Sequence, residues 1–170
     1  GKTSLLNQVI MHTLNQSYTP EQDAIGTISR QLIPILIKVQ LLQQRLLESP
    51  DAFAAAWNWA DAYLRLEHGE GSPQYRMLRQ AMMARRALLL LDGLDEGGVN
   101  REQIERHVAE VLAPQGHVLL ATSRPAGVDD KRFASFHRLR LSPRTETQQE
   151  QALAQRLGSA ARAAPLLEYV

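Results

Sequence analysis

Apolar residues at Leu5, Leu6, Val9, Ile10 and Leu14 recur at the helical period and predict a helix that opens at Thr3. The polar stretch 15–29 predicts a loop. Residues 32–39 then form a short apolar run with β-branched side chains, the pattern of a strand. Pro34 inside that run cannot donate to a ladder, which assigns the strand to a sheet edge. Two or three helices follow. The clearest spans about 51–67, after Ser49-Pro50, with Phe53, Trp57, Ala60 and Leu64 at i, i+4, i+7 and i+11. Gly69-Glu70-Gly71-Ser72-Pro73 breaks it, and a further helix is predicted near 74–85. Ala87 and four consecutive leucines then run abruptly into Asp92-Gly93-Leu94-Asp95-Glu96-Gly97-Gly98, which favours a buried strand entering a loop. A helix at about 101–112 ends at Pro114-Gln115-Gly116. A strand over 117–122 leads into Ser123-Arg124-Pro125. Residues 136–141 alternate apolar and polar, predicting a half-exposed strand, and Ser142-Pro143 opens a last helix at about 146–157. Strands alternating with helices imply parallel βαβ units in a layered α/β fold.

The 170 residues suffice for one α/β domain with a sizeable core. The formal charge of +1 offers no basic stripe, so no direct nucleic-acid partner is expected. The absence of cysteine excludes a disulfide scaffold or a Cys-ligated zinc site and is compatible with a cytoplasmic location. The apolar runs 32–37 and 87–91 are too short to span a bilayer, so no membrane is expected either. The five histidines are scattered without metal spacing. Trp57, Trp59 and Tyr63 are expected to pack rather than stack on bases, and Arg85-Arg86 to close a helix end.

Three segments carry chemistry. Gly1-Lys2-Thr3 opening a helix is the second half of the pattern G-x-x-x-x-G-K-[ST]. Backbone N–H groups at a helix start attract phosphate, the lysine adds a point charge, and the hydroxyl can ligate Mg²⁺. Asp92 stands at the carboxyl end of the leucine strand, where open α/β sheets bind ligands. Asp95 and Glu96 follow it, and three carboxylates within five residues repel one another unless a cation relieves them. Thr122-Ser123-Arg124-Pro125 ends the next strand in the same sense, placing a guanidinium at the same sheet edge. Residue 1 is Gly, and the first half of the pattern is lacking, so the chain is expected to begin inside the phosphate loop, without its first strand.

The order and wording of Gly1-Lys2-Thr3-Ser4-Leu5-Leu6, Leu88-Leu89-Leu90-Leu91-Asp92-Gly93-Leu94-Asp95-Glu96 and Thr122-Ser123-Arg124-Pro125 resemble the truncated Walker A, the Walker B and the sensor-1 segments of NACHT domains. These belong to the STAND class of P-loop NTPases. The resemblance implies a three-layer sandwich with a mostly parallel sheet, its first strand lacking. The nucleotide-binding core would occupy 1–141 and the start of a helical subdomain 142–170. Gly1, Lys2, Thr3 and Ser4 would bind the nucleotide, and Thr3 and Asp92 would hold Mg²⁺. Asp95 or Glu96 would orient or polarise the attacking water, and Arg124 would sense the γ-phosphate. The implied function is an ATP/ADP-dependent switch with slow hydrolysis whose nucleotide state controls self-association. A non-hydrolysing scaffold that keeps ADP, and a remodelling ATPase of the AAA type, share these residues. A GTPase fits less well: there is no Asn-Lys-x-Asp segment, and Asp95 stands where a GTPase carries glycine. The lacking strand would lie between 117–122 and 136–141 and leave those two about two inter-strand spacings apart, roughly 9–10 Å.

Overall fold

The computed structural model describes residues 2–16, 32–125, 128–142, 145, 147–148 and 151–152. They divide into two compact units, Gly1–Phe136 and His137–Val170. The first is mixed α/β. Helix α1 (Lys2–Gln16) is followed by β1 (Ile33–Lys38), α2 (Val39–Glu48), α3 (Pro50–Ala54), α4 (Trp59–His68) and α5 (Pro73–Met83). Then come β2 (Ala87–Asp92), α6 (Arg101–His107) with its π-wound extension Val108–Leu112, and β3 (Val118–Ala121).

The three strands form a parallel sheet in the order β1-β2-β3. Every residue of β2 is buried, as a central parallel strand requires, and its four consecutive leucines meet that demand on both faces. β1, with Pro34, pairs only with β2 among the described residues, the edge position its proline dictates. Side chains alternate across a strand, and the two faces of β2 diverge accordingly. Ala87, Leu89 and Leu91 join Ile35 and Ile37 in the larger core with α2–α6. Leu88 and Leu90 face the other way and pack with Leu6 of α1, flanked by Val9, Ile10, Leu36 and Leu120. The sheet therefore lies between α1 and the remaining helices. Asp92 has the parity of Leu88 and Leu90, which directs it to the α1 side.

Three expectations are corrected. The helix over 51–67 is two helices, because Asn58 adopts an extended conformation and accepts the Asp61 N–H at 2.8 Å, so α4 begins anew. Trp57, in the break, is 43% exposed rather than on the buried stripe. The helix over 101–112 is α-wound only to His107; the π turn beyond it buries both Val108 and Leu112. Residues 136–141 form no strand. The alternating pattern would bury one face of a paired strand, yet among the described residues no ladder partner meets it, and Leu139 is 92% exposed. The anticipated spacing between two strands flanking a slot is therefore undefined. Most of the loop 15–29 lies outside the described residues, and its first two residues belong to α1.

In the second unit, the Thr145 N–H donates to Gln148 Oε1 at 3.1 Å and the Gln148 N–H donates to Thr145 Oγ1 at 3.3 Å. This reciprocal capping box opens the helical residues 147–148. The rest of the helix predicted over 146–157 is described only at 151–152. No described helix is long and apolar enough to cross a membrane.

Candidate functional site at the carboxyl edge of the sheet

Because the strands are parallel, their carboxyl ends share one edge. Leu91 pairs with Ala121, so Asp92 and Thr122 stand side by side just beyond the ladder. The chain holds that register past β3: the Thr122 N–H donates to Leu91 O at 2.9 Å, and the Leu94 N–H donates to Thr122 O at 2.8 Å. Between them Gly93 turns in the left-handed region at φ +79°, a conformation that costs other L-residues about 1–2 kcal/mol. A Cβ there would stand 2.9 Å from the Glu96 carboxyl carbon, so the glycine also makes room for that side chain to fold back over the turn.

Helix α1 delivers Lys2 and Thr3 to this edge. Thr3 and Leu6 are three apart and share a helix face. Seating Leu6 on Leu88 and Leu90 therefore carries Thr3 over the end of β2. The Thr3 hydroxyl donates to Asp92 Oδ2 at 2.7 Å. The Thr122 hydroxyl donates to Asp92 Oδ1 at 2.8 Å and accepts the Gly93 N–H at 3.0 Å. Asp92 is buried, and each of its carboxylate oxygens is met by one of these hydroxyls.

Asp95 gathers the cations. Lys2 Nζ lies 3.4 Å from its Oδ1, and Arg124 Nε lies 3.2 Å from Oδ2. The Arg124 N–H donates to Oδ1 at 3.1 Å, and the Ser123 hydroxyl donates there at 3.3 Å. Burial would raise the pKa of this carboxyl. The Arg124 backbone N–H, its own backbone N–H and the Lys2 charge outweigh that and hold it below the usual carboxylate range. The Arg124 side chain is 76% exposed, so its pair with Asp95 orients the guanidinium more than it stabilises the fold.

Six of the residues singled out from sequence thus meet at one edge: Lys2, Thr3, Asp92, Asp95 and Arg124 through direct contacts, and Glu96 over the Gly93 turn. Ser4 is exposed in the first turn of α1, and Gly1 lies outside the described residues. Sequence reasoning assigned no individual role to Thr122 or Ser123. The signal for Thr122 was its register: a hydroxyl one residue past a strand that pairs with the strand ending in Asp92. Among the described residues no group of three or more His, Asp or Glu side chains could hold a metal ion. At the edge itself, the Asp92 carboxylate is in contact with two hydroxyls, those of Thr3 and Thr122. A cleft of about 370 Å³ lined by Leu46, Pro50, Phe53, Trp59 and others opens among the helices and carries no titratable side chain.

Comparison with known proteins returned no matching family model, no matching curated protein and no matching solved structure.

Proposed function

We propose that the chain is the nucleotide-binding core of a P-loop NTPase of the NACHT kind: a cytoplasmic switch that binds ATP or ADP with Mg²⁺, hydrolyses ATP slowly, and self-associates according to nucleotide state. One observation carries it. Lys2 and Thr3 at the start of α1 meet Asp92 and Asp95 at the carboxyl end of β2, beside Arg124 after β3. A lysine, a hydroxyl, a strand-end carboxylate and a second acid at the amino end of a helix are the parts phosphoryl transfer uses.

The donor set fits the group. Mg²⁺ takes few protein oxygens and fills its remaining positions with phosphate and water. Thr3 Oγ1 and Asp92 Oδ2, 2.7 Å apart, are hard oxygen donors that would hold it. When bound, it would neutralise charge on the β- and γ-phosphates. Lys2 and the α1 N-terminus, with Gly1 and Ser4, would bind the phosphates. Asp95 or Glu96 would orient the attacking water. Arg124 would contact the γ-phosphate and report its loss.

Lys2→Ala in the intact protein is expected to lower Mg-ATP affinity about 10- to 100-fold, since a hydrogen bond to a charged group is worth about 1.5–3 kcal/mol. Isothermal titration checks it. Unchanged ATP affinity would end the P-loop reading.

A further inference from the structure

Asp92 faces two hydroxyls, and only one of them belongs to the segment that would bind phosphate. The terminal torsion of an aspartate is broad, so the plane of its carboxylate is set by its partners rather than by its own rotamer. Thr122 is placed to set it. Its side chain is β-branched and stiff at χ1, and the residue is buried. Its backbone is pinned on both sides, by Thr122 N–H to Leu91 O and by Leu94 N–H to Thr122 O. The direction of the hydroxyl proton also follows from chemistry. The Gly93 N–H can only donate, so Thr122 Oγ1 accepts it at 3.0 Å and is left to give its own proton to Asp92 Oδ1 at 2.8 Å. That occupies Oδ1 and turns Oδ2 toward Thr3, 2.7 Å away.

We infer that Thr122 is a positioning residue for the divalent cation: by holding Asp92 Oδ1 it presents Oδ2, together with Thr3 Oγ1, as the cation-binding pair. This rests on the nucleotide reading above and adds to it a residue with no direct contact to phosphate. Outer groups that orient a ligand carboxylate typically change metal affinity 10- to 100-fold when removed.

The test compares ATP binding across a Mg²⁺ series, and in EDTA, for the full-length protein, Thr122→Val and Thr122→Ser. Thr122→Val keeps the shape and removes the hydroxyl. It is expected to raise the Mg²⁺ concentration for half-maximal ATP binding about tenfold while leaving binding in EDTA unchanged. Thr122→Ser, which restores the hydroxyl, is expected to return the wild-type Mg²⁺ dependence. Should Thr122→Val not fold, Thr122→Ala leaves room for water at the Gly93 N–H and carries the same comparison. An unchanged Mg²⁺ dependence in the hydroxyl-less variant overturns the inference. So does an equal loss with and without Mg²⁺, which marks a purely structural threonine. If the wild-type protein binds no ATP at any Mg²⁺ concentration, the nucleotide reading itself fails, and the Thr122 role with it.

Discussion

Three carboxylates within five residues occupy three different environments, and the differences sort their chemistry. Asp92 is buried and held by two hydroxyls. Asp95 is engaged by Lys2, by the Ser123 hydroxyl and by both the backbone and side chain of Arg124, which keeps it ionised and strongly solvated by protein. A carboxylate so fully engaged makes a poor proton acceptor, because taking a proton would forfeit those contacts. Glu96 is exposed and folded over the Gly93 turn at the same edge. Under the proposed function, Glu96→Gln is expected to leave ATP affinity within about twofold and to lower turnover on the order of a hundredfold, the usual worth of a positioned general base. Asp95→Asn is expected to change affinity as well, since it releases Lys2 and Arg124. Single-turnover hydrolysis alongside titration separates the two outcomes. Wild-type turnover in Glu96→Gln would return the water-orienting role to Asp95.

At the scale of elements, α4 shows how a neutral histidine can hold a helix start. Trp59 is its first residue, and the Trp59 N–H donates to His107 Nε2 at 2.9 Å while the two rings stack at 4.4 Å. Only the neutral imidazole can accept that bond, and burial lowers the His107 pKa from 6.5 to about 4. A depressed histidine pKa favours the fold where the unfolded chain is also neutral. The contribution is therefore complete above about pH 6.5 and is lost as pH falls toward the folded value of about 4. His117 adds to the same trend, its pKa lowered by burial and then by Arg85. Urea midpoints between pH 7 and 4 are expected to fall, and His107→Gln, which keeps an acceptor that does not titrate, to flatten part of that fall. An equal slope in both proteins would remove His107 from the account. Nothing in the apolar period of 51–67 announced this junction, because α3 and α4 preserve the spacing of Phe53, Ala60 and Leu64 across the break. The cue was Asn58, a residue that competes for backbone N–H groups and so favours caps over helix interiors. The strands 32–39, 87–91 and 117–122 were legible to within a residue or two because apolar runs ending in turn residues admit few alternatives. The alternation at 136–141 misled because period two describes a strand only where a partner exists.

At the scale of the molecule, among the described residues of the first unit, the sheet separates two cores of unequal size: the larger anchors the turn of Asp95 and Glu96 through Leu94, and the smaller seats α1. Leu89 and Leu91 belong to the large core with α2–α6, whereas Leu88 and Leu90 carry α1 through Leu6. Once the structure seats Leu6 on Leu88 and Leu90, the convergence of Thr3 and Asp92 follows: Asp92 shares its parity with those leucines, and Thr3 its helix face with Leu6. The hydrogen-bond partners of Asp92 were not legible in the sequence, because the register between β2 and β3 comes from pairing rather than from either strand alone. Two fully buried residues, one in each core, test whether site geometry depends on the small core specifically. Leu6 and Met82 are both at 0% exposure, and truncating either to Ala is expected to cost about 2–5 kcal/mol. Leu6→Ala loosens the seat of α1 and so displaces Lys2 and Thr3 from the acids. Met82→Ala leaves a cavity in the opposite layer. Under the proposed function, and among molecules that remain folded, Leu6→Ala should therefore lose ATP affinity several-fold, and Met82→Ala little. Binding measured well below each variant's melting temperature, with stability read from urea unfolding, separates the effects. Equal affinity losses at equal destabilisation would mean that the site follows global stability and that the α1 seat has no special part in it.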